Sequence, residues 1–510
     1  MNPPLRHVLV TLAFAALALP GQTLAQAAAP SCKYIELAAV PLRYTGPNLE
    51  ITMRGSINGT PALMLVDTGS WDTVLTRTGT DSRKLSLRST GQHASGIGGI
   101  ARIYQARVTE FTAGGASSGK GFMPVLTDFG FVPSYDAIVG APFLLQADLE
   151  ISLAAKQLKF FKPYGCEDSF LAYWDPAAIV IPFDAGFGEH RNPHFTVSVN
   201  GRKMTAMIDT GAASTSITLG AAKRTGLKLD DPGVTRGQDA IGVGERKVAR
   251  WRTVFDSFQI GEETVRNAEI GVVDREGDID MLLGADFLRA HRVLIAMSQQ
   301  KIYLSYVGGE PFGQRRKLEP WVVAEAEADN PDAQLLLARL YTQGQLVAKD
   351  PALGASWLEK SVRGGNPDAS IASGRQKLVQ GFPEEAATRL RAGLDRLPSH
   401  RFAALWLYLA RVRSKQPELA SSELAASLAG SDDNDWPRPI AHFYLGKIDK
   451  GALLEAAGAE AALAQARTCL SLASMREWYL AHGDTQAAAA LSPQGKAQCA
   501  RPAALSAAGG

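Results

Sequence analysis

The stretch Leu63-Met64-Leu65-Val66-Asp67-Thr68-Gly69-Ser70 decides the fold, because Thr205-Ala206-Met207-Ile208-Asp209-Thr210-Gly211-Ala212 echoes it. In each copy an apolar run reads as a buried strand. Asp-Thr-Gly then turns the chain, and Gly permits a backbone path that a Cβ would obstruct. A single copy is an ordinary turn, since Asp and Gly are common turn residues. Two copies on similar folding units can face each other across a pseudo-two-fold axis and set two carboxylates side by side.

The echo continues on both sides. Ile57-Asn58-Gly59 ends eight residues before Asp67, and Val199-Asn200-Gly201 ends eight before Asp209. Asn-Gly between apolar alternations predicts a tight hairpin. Downstream, Gly91-Gln92-His93-Ala94-Ser95-Gly96-Ile97-Gly98 matches Gly237-Gln238-Asp239-Ala240-Ile241-Gly242-Val243-Gly244 at five of eight positions. Ala137-Ile138-Val139-Gly140 then corresponds to Met281-Leu282-Leu283-Gly284. Leu149, Ile151, Leu153, Leu158 and Phe160 fall on Val293, Ile295, Met297, Ile302 and Leu304 without a gap. This period-two alternation predicts two strands joined by a turn in each half.

Asp-Thr-Gly, a Gly-rich segment, then two aliphatics and Gly, in that order and twice over, resembles the retropepsin-like aspartic proteases across about residues 48–162 and 190–306. The resemblance implies all-β acid-protease barrels, two tandem lobes in one chain, and peptide or protein as substrate. Two carboxylates about 3 Å apart share one proton. One takes a proton from a water between them while the other donates to the scissile carbonyl. Asp67 and Asp209 are the expected catalytic pair, with no cofactor and no metal. By resemblance, Thr68, Gly69, Thr210 and Gly211 lock the two loops together. Flaps at about 91–104 and 237–251 cover the cleft, with Gly96, Ile97, Gly98, Gly242, Val243 and Gly244 at their tips. The glycines are expected to keep those tips mobile. A Ser70 hydroxyl bonded to Asp67 would favour its ionised form and leave the shared proton on Asp209. The alternatives are a non-catalytic peptide-binding scaffold on the same fold, or lobes that pair in trans as a homodimer. The first choice is a monomer that acts as a pseudo-dimer.

The chain has 510 residues, a net charge of +2 and 20% charged residues, a balance that gives no case for nucleic acid or a membrane surface. Arg6 and His7 precede an apolar run over residues 8–19, too short for a membrane span and suited to a signal-peptide core. Thr23-Leu24-Ala25 offers a cleavage site, so residues 1–25 are read as a signal peptide and the protein as periplasmic or secreted, with no membrane span after cleavage. The four cysteines allow three pairings. Cys32 and Cys166 bracket the first lobe, and Cys469 and Cys499 lie near the C-terminus, so 32–166 and 469–499 are the natural pairs in an oxidising compartment. His190 and His194 are read as loop residues rather than ligands, because Pro193 argues against a helix that would face them together.

The expected domains are lobe 1 at 32–166, an interlobe connection at 167–189, lobe 2 at 190–307 and a linker at 308–320. The connection is expected to supply an interface strand. From Trp321 the chain turns Ala- and Leu-rich with helical spacing. Asn330-Pro331-Asp332-Ala333 recurs as Asn366-Pro367-Asp368-Ala369, a period of 36 residues. This resembles Sel1-like and tetratricopeptide helix pairs. Further helical runs are expected at 384–396, 402–413, 441–445 and 461–479. An all-α helical-repeat domain at 321–500, open to a protein partner or packed on the lobes, would precede a flexible tail at 501–510.

Overall fold

The computed structural model describes residues 32–185, 192–244, 246–312, 317–398, 400–428, 436–460 and 463–499. The expected signal segment, His190 and the terminal tail lie outside them. The N-terminal part is all-β and includes a closed barrel, and the part beyond about residue 320 is a run of helices. Both Asn-Gly pairs adopt the left-handed backbone that a two-residue hairpin turn requires, with Asn58 at φ 52° and Asn200 at φ 47°.

In lobe 1 the strand Thr60–Asp67 lies between Glu50–Ile57 and Ala137–Gly140. It pairs parallel with the latter, so Gly140 sits opposite Asp67. In lobe 2 Arg202–Ile208 pairs in the same way with Met281–Leu283, placing Ile208 opposite Leu283. Pro193–Val199 also pairs back onto Arg250–Ile260, which closes that sheet on itself. His194, expected in a loop, is part of Pro193–Val199 opposite Asp184. Proline at the first strand position explains the difference, because a missing N–H is tolerated there.

The lobes are joined by a six-stranded sheet with strands from both. Its central pair is Asp148–Ser152 against His291–Ala296, with Leu149 opposite Ile295 and Ile151 opposite Val293. Leu149 and Ile151 are the sequence counterparts of Val293 and Ile295, so the two pairs exchange under the pseudo-two-fold. The interlobe connection adds a strand of its own, Ile179–Pro182, at the edge of this sheet against Lys301–Tyr306. Both disulfides form as expected, Cys32–Cys166 and Cys469–Cys499.

The 36-residue repeat is a repeat of helix caps. Asn330 accepts from the amides of Asp332 and Ala333, and Asn366 accepts from that of Ala369. Proline follows each as the first helical residue, where its missing N–H costs no hydrogen bond. Each cap opens a helix pair, Pro331–Gln343 with Pro351–Arg363, then Pro367–Val379 with Pro383–Arg396. The first helices dock on the lobes. Val322, Ala326, Leu337 and Leu340 belong to the same apolar core as both barrels. The Arg289 guanidinium lies 4.0 Å from the Trp321 ring, Asn330 Nδ2 donates to the Tyr44 carbonyl at 3.0 Å, and the Gly46 amide donates to Asp332 Oδ1 at 2.9 Å. From Ile371 to Leu491 the array has a separate core. Among the described residues, no helix is long and apolar enough to cross a membrane.

Candidate active site

The two Asp-Thr-Gly turns meet on the pseudo-two-fold and exchange hydrogen bonds. The Thr68 amide donates to Thr210 Oγ1 at 3.0 Å, and the Thr210 amide donates to Thr68 Oγ1 at 3.1 Å. Each hydroxyl donates in turn into the opposite strand, Thr68 Oγ1 to the Ile208 carbonyl at 2.8 Å and Thr210 Oγ1 to the Val66 carbonyl at 2.7 Å. Both threonines are buried. Serine would supply the same hydroxyl, but threonine's branched Cβ limits its rotation.

This grip sets each carboxylate above the other loop's glycine. A Cβ at Gly69 would lie 2.5 Å from the Asp209 carboxyl carbon, and one at Gly211 would lie 2.6 Å from both Asp67 oxygens. Only glycine leaves room. Asp67 Oδ1 accepts the amides of Gly69 and Ser70, both at 2.9 Å, and Asp209 Oδ1 accepts those of Gly211 and Ala212 at 3.0 and 3.1 Å. One oxygen of each carboxylate is thus held by backbone.

Burial pushes both carboxyls above the usual aspartate range, and the Asp209 charge pushes Asp67 further, well above it. The Arg275 guanidinium acts on Asp209 in the opposite sense. The two carboxyls therefore share one proton and titrate as a pair. The expected Ser70 bond is absent: the Ser70 hydroxyl donates to the Asp72 carbonyl at 2.9 Å, and only its amide reaches Asp67. Ala212 supplies an equivalent amide, so position 70 creates no difference between the two carboxylates.

Above the pair lies a cleft of about 630 Å³ lined from both lobes. Its roof is the hairpin Leu87–Gly96 and Gly99–Val108, met by a shorter Gly-rich loop of lobe 2. The tips join backbone to backbone. The Gly98 amide donates to the Val243 carbonyl at 2.8 Å, the Arg246 amide to the Gly98 carbonyl at 2.9 Å, and the Gly244 amide to the Asp128 carbonyl at 2.9 Å. Side chains at Gly98 or Gly242 would overlap Gly244 or Ile97 of the facing tip. Close approach is thus the requirement at these glycines, where the sequence suggested mobility.

The duplicated motif brought Asp67, Thr68, Gly69, Asp209, Thr210, Gly211 and the six tip residues to one place. It missed Asn192, whose buried side chain donates to the Thr68 carbonyl at 2.7 Å. It also missed Arg250, Arg252 and Arg275, which line the lobe 2 half of the cleft. The places equivalent to Arg250 and Arg275 in lobe 1 hold Ile103 and Asp128, so the repeat carries no signal for these arginines. Among the described residues, no cluster of three or more potential metal ligands occurs.

Thr210→Val keeps the side-chain shape but removes the acceptor for the Thr68 amide and the donor to the Val66 carbonyl. Equilibrium unfolding should show a loss of about 1–3 kcal/mol for each group left unpaired; a change within about 0.5 kcal/mol would contradict the grip. Asp67→Asn has a pH signature. A carboxyl raised above its unfolded value contributes stability that is present below the ordinary aspartate range and lost as pH rises through the raised value. The variant should therefore be more stable than the parent at neutral pH, and the gap should close on acidification. Thermal melts across pH check this, and a variant less stable at neutral pH would contradict it.

Residues 53–132 match the family model described as "Aspartyl protease". Residues 195–290 match the model described as "gag-polyprotein putative aspartyl protease". No curated protein matches the chain. The two matches fall one on each lobe, so the chain carries two aspartyl-protease domains in tandem, followed by a helical-repeat region.

Proposed function

We propose that the protein is an exported aspartic endopeptidase in which Asp67 and Asp209 form one dyad within one chain. The observation that carries this reading is the reciprocal Thr68–Thr210 grip, which holds two carboxylates face to face at the floor of a roofed cleft. Asp209, ionised beside Arg275, takes a proton from a water held between the pair, and the resulting hydroxide attacks the scissile carbonyl. Asp67 gives its proton to the carbonyl oxygen, forming a neutral tetrahedral diol. Asp209 then passes its proton to the leaving nitrogen, and Asp67 recovers one from the diol as the C–N bond breaks. The protons balance and no covalent enzyme intermediate forms. The flap tips would offer backbone groups to an extended peptide, as in strand addition. The two disulfides support an oxidising compartment. The helical array, docked on the lobes at its first helices, is proposed to present its outer repeats to a protein partner or to substrate.

Cleavage of a mixed peptide library should be measured from acid to neutral pH for the parent, Asp67→Asn and Asp209→Asn. The expected result is cutting by the parent and a loss of about 100-fold or more in each variant. The acid limb should report protonation of the singly ionised dyad, and the alkaline limb loss of its shared proton, at a pH above the ordinary aspartate range. Substantial activity in either single variant would contradict a single shared dyad, and no cutting by the parent would favour a peptide-binding scaffold.

A further inference from the structure

The two halves of the cleft are built on equivalent strands but differ in charge. In lobe 1 Ile103 pairs with Leu126, and Leu126 pairs with Thr76. In lobe 2 Arg250 pairs with Val273, and Val273 pairs with Thr218. Arg250 therefore occupies the place of Ile103. Two residues past each of these strand ends, Arg275 occupies the place of Asp128.

The lobe 1 wall is apolar. Leu65, Ile103, Leu126, Tyr135 and Ile138 form a buried cluster, with Phe129 and Phe131 packed on it. Two carboxylates lie on this side: Asp128 is engaged by Arg102, whose Nε and Nη2 reach it at 3.2 and 3.3 Å, and Glu50 accepts from Asn48 Nδ2 at 3.0 Å and is pushed up to about 6 by burial. The lobe 2 wall keeps an apolar floor, Met207 and Leu282, but adds three guanidinium groups, Arg250, Arg252 and Arg275. Arg250 is oriented by Ser214, Nη2 to Oγ at 2.9 Å. Arg275 is oriented by the Ile279 carbonyl, which accepts from Nη2 at 2.9 Å, while its buried Nε has no partner among the described residues. Of the nearby carboxylates, Asp280 pairs with Arg224 and Asp239 with Arg236, while Asp209 and Asp280 both act on Arg275 through their charge. Glu276 lies at the exposed rim. Three half-buried guanidinium groups on one wall make it electrostatically complementary to an anionic side chain, and a guanidinium fork fits a carboxylate in two bonds.

We propose that the lobe 2 half of the cleft is a specificity subsite for an acidic side chain, so that the enzyme cuts between an apolar residue and an aspartate or glutamate. The proposal rests on the protease reading for the cut and on the arginines alone for the charge preference. The dyad lies between the two walls, and successive side chains of an extended peptide point to opposite sides. One neighbour of the scissile bond then meets the apolar wall and the other meets Arg275 and Arg250.

The test uses peptides that differ at one residue, Glu, Gln or Lys, beside a fixed Leu, made in both orders. Each is made with an ordinary amide and with a reduced, uncleavable bond between the two residues. kcat/KM is measured on the first set and affinity, by fluorescence anisotropy, on the second. Glu should exceed Gln by about 10- to 100-fold, with Lys weakest, in one of the two orders. Arg275→Gln should flatten the Glu-to-Gln ratio while Arg275→Lys retains part of it. Arg252→Gln supplies a second variant should Arg275→Gln lose its melting transition. Equal use of Glu, Gln and Lys, with cutting intact, overturns the subsite and leaves the protease reading standing. Glu-selective binding without cutting supports the subsite and overturns the protease reading. Neither binding nor cutting overturns both.

Discussion

Two threonine hydroxyls hold this molecule's centre together. Thr68 and Thr210 each accept the other's amide and donate into the other's strand, four hydrogen bonds away from water. The network is fully satisfied within itself, which is the condition under which buried polar groups give order rather than cost. Its consequence is positional. Each carboxylate lies against the facing glycine, too close for any other residue, and the two acids cannot both remain ionised so near to each other. The six-stranded interlobe sheet and the common apolar core serve the same end, because they fix the two loops at a single separation.

Much of this was legible in the sequence because duplication turns weak signals into strong ones. Asp-Thr-Gly, Asn-Gly and the aliphatic-Gly strands each have ordinary meanings alone. Their common order in two halves does not. The alternation from Leu149 to Phe160 and its copy from Val293 to Leu304 foretold two strands joined by a turn in each half, and the recurrence of Asn-Pro-Asp-Ala foretold a helical repeat. What stayed hidden was whatever breaks the symmetry. Asn192 reaches the Thr68 carbonyl across 124 residues, a contact no local pattern encodes. The turn presents the Ser70 hydroxyl to the Asp72 carbonyl and only its amide to Asp67. Arg275 sits in a loop with no repeat signal, yet it lines the cleft and its charge acts on Asp209.

The two lobes have diverged where they face the cleft. A symmetric pair of lobes offers an extended peptide two like walls. Here one wall is an apolar cluster and the other carries oriented guanidinium groups, while the roof is made by one long hairpin and one short loop. The helices extend the pattern: the first ones share the core of the barrels, and the later ones form their own core and leave an outer surface independent of the cleft.

The central claim is one dyad per chain, made by both lobes together. It is tested most directly by calorimetric titration with a peptide whose scissile amide is replaced by a secondary alcohol, a mimic of the tetrahedral species. The account predicts one site per chain at all protein concentrations, and loss of that site in Asp67→Ala and in Asp209→Ala alike. Two sites per chain, one site per two chains, or binding that survives either substitution would contradict it.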